Sequence, residues 1–191
     1  MSIEAKIVTS LNSWGASHHS LIQIFSKDLV YIAIALGSLW IVVETLKANR
    51  QQGRKIPSIP GLIANGFLIV ALPVGLTVVV SELISKLYVR QRPFVAISDV
   101  KLLVPHSADG GMPSHHIAFM TALVGCVYFY DRRAAALFGV LTILSGFGRV
   151  SAGIHYPSDI VAGVGIGIVV VYLYRIAATK LFSASILTIR P

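Results

Sequence analysis

Five apolar runs, at about 29–46, 59–85, 113–130, 134–148 and 157–174, leave this chain few ways to fold. Each is near the roughly 20 residues a helix needs to cross a bilayer, the third and fourth being short. Charged residues make up only 13% of the 191, about half of what a soluble domain carries. Lipid offers no partners for backbone N–H and C=O groups, so runs of this kind must satisfy them internally, as helices. The predicted fold is all-α: a polytopic transmembrane bundle of five to six helices, one membrane-embedded domain over 1–191.

Residues 1–27 scatter Trp14, His18, His19 and Lys27 among apolar positions. They read as a short interfacial or shallowly inserted helix. No basic segment followed by a short apolar core and a small-residue cleavage site opens the chain, so no removable signal peptide is read. Asn65 and Pro73 interrupt the second run and predict a kink. The turn between the third and fourth runs, Asp131-Arg132-Arg133, makes those spans antiparallel neighbours. Gly163 and Gly167 stand four apart in the fifth run, a spacing that lets a neighbouring helix approach closely. Cys126 is the single cysteine and forms no internal disulfide.

A net charge of +8 could suggest nucleic acid. In a membrane chain it more naturally reports topology and contact with anionic headgroups, and no nucleic-acid partner is read. Alternating spans place Lys47, Arg50, Arg54, Lys55, Arg132, Arg133, Arg175, Lys180 and Arg190 on one side. Lys6, Lys27, Arg90 and Lys101 fall on the other, together with Lys86, Arg92 and Arg149, which have a better use. The basic side faces the cytoplasm by the positive-inside rule.

The same alternation carries three polar stretches to the opposite, extracytoplasmic face. They are Lys86-Leu-Tyr-Val-Arg90-Gln-Arg92-Pro93, then Pro113-Ser114-His115-His116, then Arg149 to Asp159 with His155 between them. Arginine and lysine neutralise phosphate, arginine bidentately. Free N–H groups at the starts of the third and fifth spans make anion cradles, with Pro113 and Pro157 expected at their first helical positions. Two histidines on opposite sides of an anion can act as nucleophile and general acid. A transporter subunit or lipid-binding scaffold is the rival from another class, but a transporter places its polar groups at the midplane.

These residues resemble the phosphatidic-acid-phosphatase type 2 superfamily of membrane lipid phosphatases, whose signatures read K-x6-R-P, P-S-G-H and S-R-x5-H-x3-D. Motifs and spans cover about 60–175, the expected catalytic core. Arg92-Pro-Phe-Val and Leu103-Val-Pro-His-Ser-Ala-Asp109 look most like the small bacterial undecaprenyl-diphosphate phosphatases of the bacitracin-resistance type. The resemblance implies a metal-independent enzyme without cofactor, its partners a membrane lipid phosphate and the surrounding bilayer. Undecaprenyl diphosphate is the first candidate substrate; phosphatidylglycerophosphate, phosphatidate or a lipid A phosphate are the alternatives. It implies His155 as nucleophile, Asp159 as its orienting carboxylate and His116 as general acid. Lys86, Arg92, Ser114, Arg149 and the His115 N–H would bind phosphate oxygens. Three positions depart from the signatures: Lys86 is one residue too close to Arg92, so Arg90 could share its task; Gly148 replaces the serine before Arg149; and His115 replaces glycine.

Overall fold

The computed structural model describes residues 1–51 and 59–181, and every regular element among them is helical. Arg54, Lys55 and Arg190 lie outside the described residues. Helix α1 (Ile3–Ser17) is capped by Ser2, whose hydroxyl accepts from the Ala5 N–H. It is separate from the helices that cross the membrane. Ile3, Ile7 and Trp14 are exposed on it while Val8, Asn12 and Gly15 are buried, so the helix is two-faced.

From His19 the chain runs through α2 (His19–Gln23), a π-helical turn (Ile24–Asp28) and α3 (Leu29–Gln51). The first span thus starts ten residues earlier than hydropathy suggests, because Ser26, Lys27 and Asp28 interrupt the apolar pattern without ending the helix. The second span is α4 (Ile59–Gly66), another π-helical turn (Phe67–Ala71) and α5 (Leu72–Leu87). Proline clashes with the carbonyl four residues back, and here the wider turn falls just before Pro73. The side chain of Asn65 lies outside the described residues.

A long connection with one short helix, α6 (Pro93–Ala96), leads to α7 (His115–Tyr128), α8 (Arg132–Ser151) and α9 (Pro157–Leu181). Among the described residues four helices are long and apolar enough to cross a bilayer; α7, with 14 residues, is shorter. At 1.5 Å per residue it measures about 21 Å, less than the hydrocarbon thickness of about 30 Å. An N-terminus on such a short helix can sit below the level of its neighbours' ends.

Helix α9 packs on α7 through the two glycines. A Cβ on Gly163 would lie 2.8 Å from the Ser114 carbonyl oxygen, and one on Gly167 2.8 Å from that of Ala118. Gly165, between them, faces open space. The buried core of the bundle joins Val30 and Ala33 of α3 to Met120, Leu123 and Val127 of α7 and Phe138 of α8. A second cluster of Val8, Val100, Val150 and Tyr156 fastens α1 and the long connection over the end of α8.

Candidate active site

The site is built where α8 ends. Ala152 caps the helix, Gly153 turns the chain at φ 78°, and His155 follows before α9 begins. Glycine tolerates that left-handed backbone, and a Cβ there would also meet Val100 at 2.7 Å and the Lys101 carbonyl at 2.8 Å. The long connection is strapped to this turn by backbone bonds, Phe94 N–H to the Gly153 carbonyl and Leu103 N–H to the Ala152 carbonyl. From α1, the Asn12 amide donates to the Ser151 and Lys101 carbonyls and accepts from the Lys101 N–H.

His155 is 2% exposed. Its Nδ1 lies 2.8 Å from the Gly111 carbonyl, which fixes Nδ1 as the protonated nitrogen of the neutral ring. Nε2 then keeps its lone pair, and it faces two guanidinium groups: Arg149 Nη2 at 3.2 Å and Arg92 Nη1 at 3.4 Å. Burial, then the charges of Arg149 and Arg92, push the His155 pKa well below the usual imidazole range.

The two arginines are buried but differently compensated. Arg92 has a carboxylate, Asp109 Oδ1, at 3.0 Å from Nε and 2.7 Å from Nη2, and also donates to the Ile154 and Gly110 carbonyls. Arg149 is 3% exposed, and among the described residues no carboxylate lies within ion-pair distance of it. It donates from Nη1 to the Ser26 carbonyl in the first π-helical turn, lies 3.3 Å from His106 Nε2, and leaves its Nε without a partner. Burying a cation without counter-charge is costly, so this geometry calls for an anion.

The helix start at α7 is open to receive one. Ser114 is the N-cap residue, yet its buried hydroxyl makes no capping bond and has no partner. Its N–H is taken by the Asp159 carbonyl at 3.1 Å. Pro113 precedes the cap and is not the first helical residue, because the helix opens at His115. The start of α9 is closed. Glu4 Oε1 accepts from the Ser158 N–H at 2.9 Å and Asp159 Oδ2 from the Tyr156 N–H at 2.7 Å. Of the two expected cradles, only that of α7 remains for a ligand.

Asp159 is buried beside His155, with Oδ2 3.5 Å from Nδ1. The short bond to that nitrogen comes from Gly111, so Asp159 acts on the ring mainly as a nearby charge. His116 is half-buried, makes no side-chain hydrogen bond among the described residues, and interacts electrostatically with Arg149, His106 and Arg92. His115 turns elsewhere: its Nε2 is 3.5 Å from Glu82 Oε2, and Glu82 Oε1 lies 3.3 Å from the largely exposed Lys86. Lys86 therefore stands with Glu82 and makes no hydrogen bond with Arg92, Arg149 or His155. Arg90 does not take its place either. It binds Asp159 Oδ1 at 2.7 Å and Glu4 Oε2 at 2.8 Å.

Three residues at the site escaped the sequence reading as site residues: Glu4, His106 and Asp109. Burial and the Arg92 charge hold the His106 pKa below its ordinary value. For Asp109, burial acts upward, but bonds from Arg92 and Ser107 hold its carboxyl below its ordinary value. Among the described residues no three His, Cys, Asp or Glu side chains gather as a metal-binding group.

Gly148, which departs from the expected serine, has a steric reason. A Cβ there would stand 2.5 Å from Phe25 Cβ and 2.7 Å from the Ser26 backbone nitrogen. The close approach is what lets the Ser26 carbonyl reach Arg149. Gly148→Ser, although it restores the signature, is expected to destabilise the protein by the ~1–3 kcal/mol typical of overpacking and to lower activity. Thermal melting in detergent checks this; a melting point equal to the unmodified protein's refutes it.

Residues 66–182 match the model of the PAP2 superfamily. The chain is 28% identical over 166 residues to the undecaprenyl-diphosphatase BcrC of Bacillus subtilis, covering 84% of this chain and 77% of that protein. Among solved structures it is similar to Aquifex aeolicus LpxE, with a TM-score of 0.59 at 20% identity over 92% of this chain and 96% of that one. It is also similar to the transmembrane PAP2-type phosphatidylglycerolphosphate phosphatase of Bacillus subtilis, with a TM-score of 0.54 at 16% identity over 94% of each.

Proposed function

Because this chain belongs to the PAP2 superfamily, we propose that it is a membrane lipid phosphatase working through a phosphohistidine at His155. The observation that carries this reading is the buried Arg149, uncompensated by any carboxylate among the described residues, with its guanidinium 3.2 Å from the lone-pair nitrogen of a buried neutral histidine. A phosphate between Arg149 and Arg92 supplies the missing negative charge and brings phosphorus within reach of Nε2.

In the first step Nε2 attacks the terminal phosphorus. The N–P bond forms as the bond from phosphorus to the bridging oxygen breaks, and His116 gives that oxygen its proton. Arg92, Arg149, the Ser114 hydroxyl and the N–H groups opening α7 hold the equatorial oxygens, where charge must be stabilised. The ring on which phosphorus sits is then cationic, and Asp159 with the Gly111 carbonyl stabilises it. In the second step His116 takes a proton from water, which attacks phosphorus; inorganic phosphate leaves and His155 returns to its neutral form. Two buried guanidinium groups perform the electrostatic task that a metal performs in other phosphatases.

Undecaprenyl diphosphate, converted to undecaprenyl phosphate, is the proposed substrate, supported by the similarity to BcrC over most of both chains. The proposed location is the extracytoplasmic face of the cell membrane, a reading supported by the distribution of basic residues. The test is phosphate release by the purified protein from undecaprenyl diphosphate, phosphatidylglycerophosphate, phosphatidate and a lipid A phosphate, with excess EDTA, and from farnesyl diphosphate added outside spheroplasts. The diphosphate is expected to be preferred, and external substrate to be hydrolysed without permeabilisation. Preference for a glycerophospholipid, or activity only after permeabilisation, overturns the substrate or the sidedness respectively.

A further inference from the structure

Arg90 lies between the phosphate-facing arginines and the N-terminal helix, and every contact it makes turns away from phosphate. Its Nη1 donates to Asp159 Oδ1 at 2.7 Å and to the Ser158 hydroxyl at 2.6 Å. Its Nη2 donates to Glu4 Oε2 at 2.8 Å, and its Cζ lies 4.0 Å from the centre of the Tyr156 ring. Glu4 uses its other oxygen on the Ser158 N–H. Glu4 thus reaches from α1 to the first turn of α9, from outside the stretch matched by the family model.

We propose that Glu4 and Arg90 are positioning residues for the nucleophile, fixing both the orientation and the net charge of Asp159 beside His155. The inference rests on the phosphohistidine reading. Asp159 is fully buried, and apart from the Tyr156 N–H its one hydrogen-bond donor among the described residues is Arg90, with His155 Nδ1 further off at 3.5 Å. A fork-shaped donor can hold Asp159, Ser158 and Glu4 together; an ammonium group cannot match that geometry. Charge gives Glu4 a second task. Arg90 alone would cancel the charge of Asp159, whereas Glu4, Arg90 and Asp159 together sum to one negative charge. That charge lies next to Nδ1, where the ring turns cationic when Nε2 carries phosphorus. Removing Glu4 leaves Asp159 in place but the phosphohistidine without its counter-charge.

The test is steady-state kinetics of the full-length protein on undecaprenyl diphosphate in mixed micelles, with variants Glu4→Gln, Glu4→Ala, Arg90→Ala, Arg90→Lys and Glu4→Ala/Arg90→Ala. Glu4→Gln removes the charge and, its amide nitrogen being a donor, keeps only one of the two hydrogen bonds that Glu4 accepts. It is expected to lower kcat about tenfold with KM within about twofold, in line with couplings inside one ion-pair network. Arg90→Ala is expected to lose about a hundredfold in kcat at similar KM, and Arg90→Lys to recover only part of that. The double variant is expected to be no slower than Arg90→Ala, since Glu4 acts through Arg90. A loss in Arg90→Ala carried by KM would make Arg90 a phosphate ligand and overturn the proposal. So would multiplicative losses in the double variant. Should Arg90→Ala not fold, Glu4→Gln decides by the same split between kcat and KM. Active wild-type protein with inactive His155→Ala sustains the phosphatase reading whatever these variants do; an inactive wild type removes both.

Discussion

His155→Ala is expected to release no phosphate from any lipid substrate while still binding one, because both arginines that neutralise the phosphate remain. In the wild type a single turnover with substrate labelled in its terminal phosphate should leave acid-labile, base-stable label on the protein; in the variant none should remain. Excess EDTA should leave the wild type active, and restoration by magnesium of an activity lost to chelator would refute the mechanism. The buried ring also sets a pH dependence. Burial and the two arginines hold the His155 pKa well below the usual range, so the nucleophile stays neutral as pH falls from 7 to 6. The unfolded chain takes up a proton near pH 6.5, whereas the folded one does not. The unfolded state therefore binds more protons below that pH, and His155 makes the wild type less stable as pH drops. His155→Ala should melt with a weaker dependence on pH between 7 and 5. Equal slopes would show that the ring is not held neutral.

The parts of this site that could be read from sequence are those fixed by short spacing or by span alternation. Arg149, His155 and Asp159 sit in one helix–turn–helix, so eleven residues of sequence already bring them together. Arg92 and Ser114 join them because alternating spans bring two connections to one face. What was hidden depends on contacts that hydropathy does not register. Glu4 meets Ser158 across 154 positions, and nothing in an interfacial helix marks one acidic residue as structural. Lys86 and His115 stand in the expected segments, but both face Glu82, Lys86 through the ordinary i, i+4 spacing of α5. Asp109 and His106 belong to an irregular connection, where no periodicity assigns a direction. The first π-helical turn was also unreadable, since Ser26 and Lys27 look like a span boundary while the backbone carries the helix through them and aims a carbonyl at Arg149. Gly148, which departs from the signature's serine, is the space that this turn occupies.

The doubled histidine at the start of α7 gives the second large effect. Neighbours on a helix point about 100° apart, so His115 and His116 cannot address the same leaving oxygen. His115 faces Glu82 and Lys86, and its backbone N–H is what the α7 cradle needs from that position. His116 faces the cationic side of the site, where Arg149, His106 and Arg92 all act on it, and among the described residues its ring makes no hydrogen bond. His116→Ala is therefore expected to lose activity by the 10²–10⁴-fold typical of removing a general acid–base group. His115→Gly restores the usual signature, keeps the N–H, and should retain activity within about tenfold, a barrier change of about 1.4 kcal/mol. Its larger effect should fall on the preference between diphosphate and monophosphate lipids, since the Glu82–Lys86 cluster borders the same helix start. The two variants should also part in single turnover: His116→Ala should form the phosphoenzyme slowly and hydrolyse it slowly, because one residue serves as acid in the first step and base in the second. Kinetics in which His115→Gly is inactive and His116→Ala near normal would move the acid by one position and rotate the whole helix start relative to the phosphate.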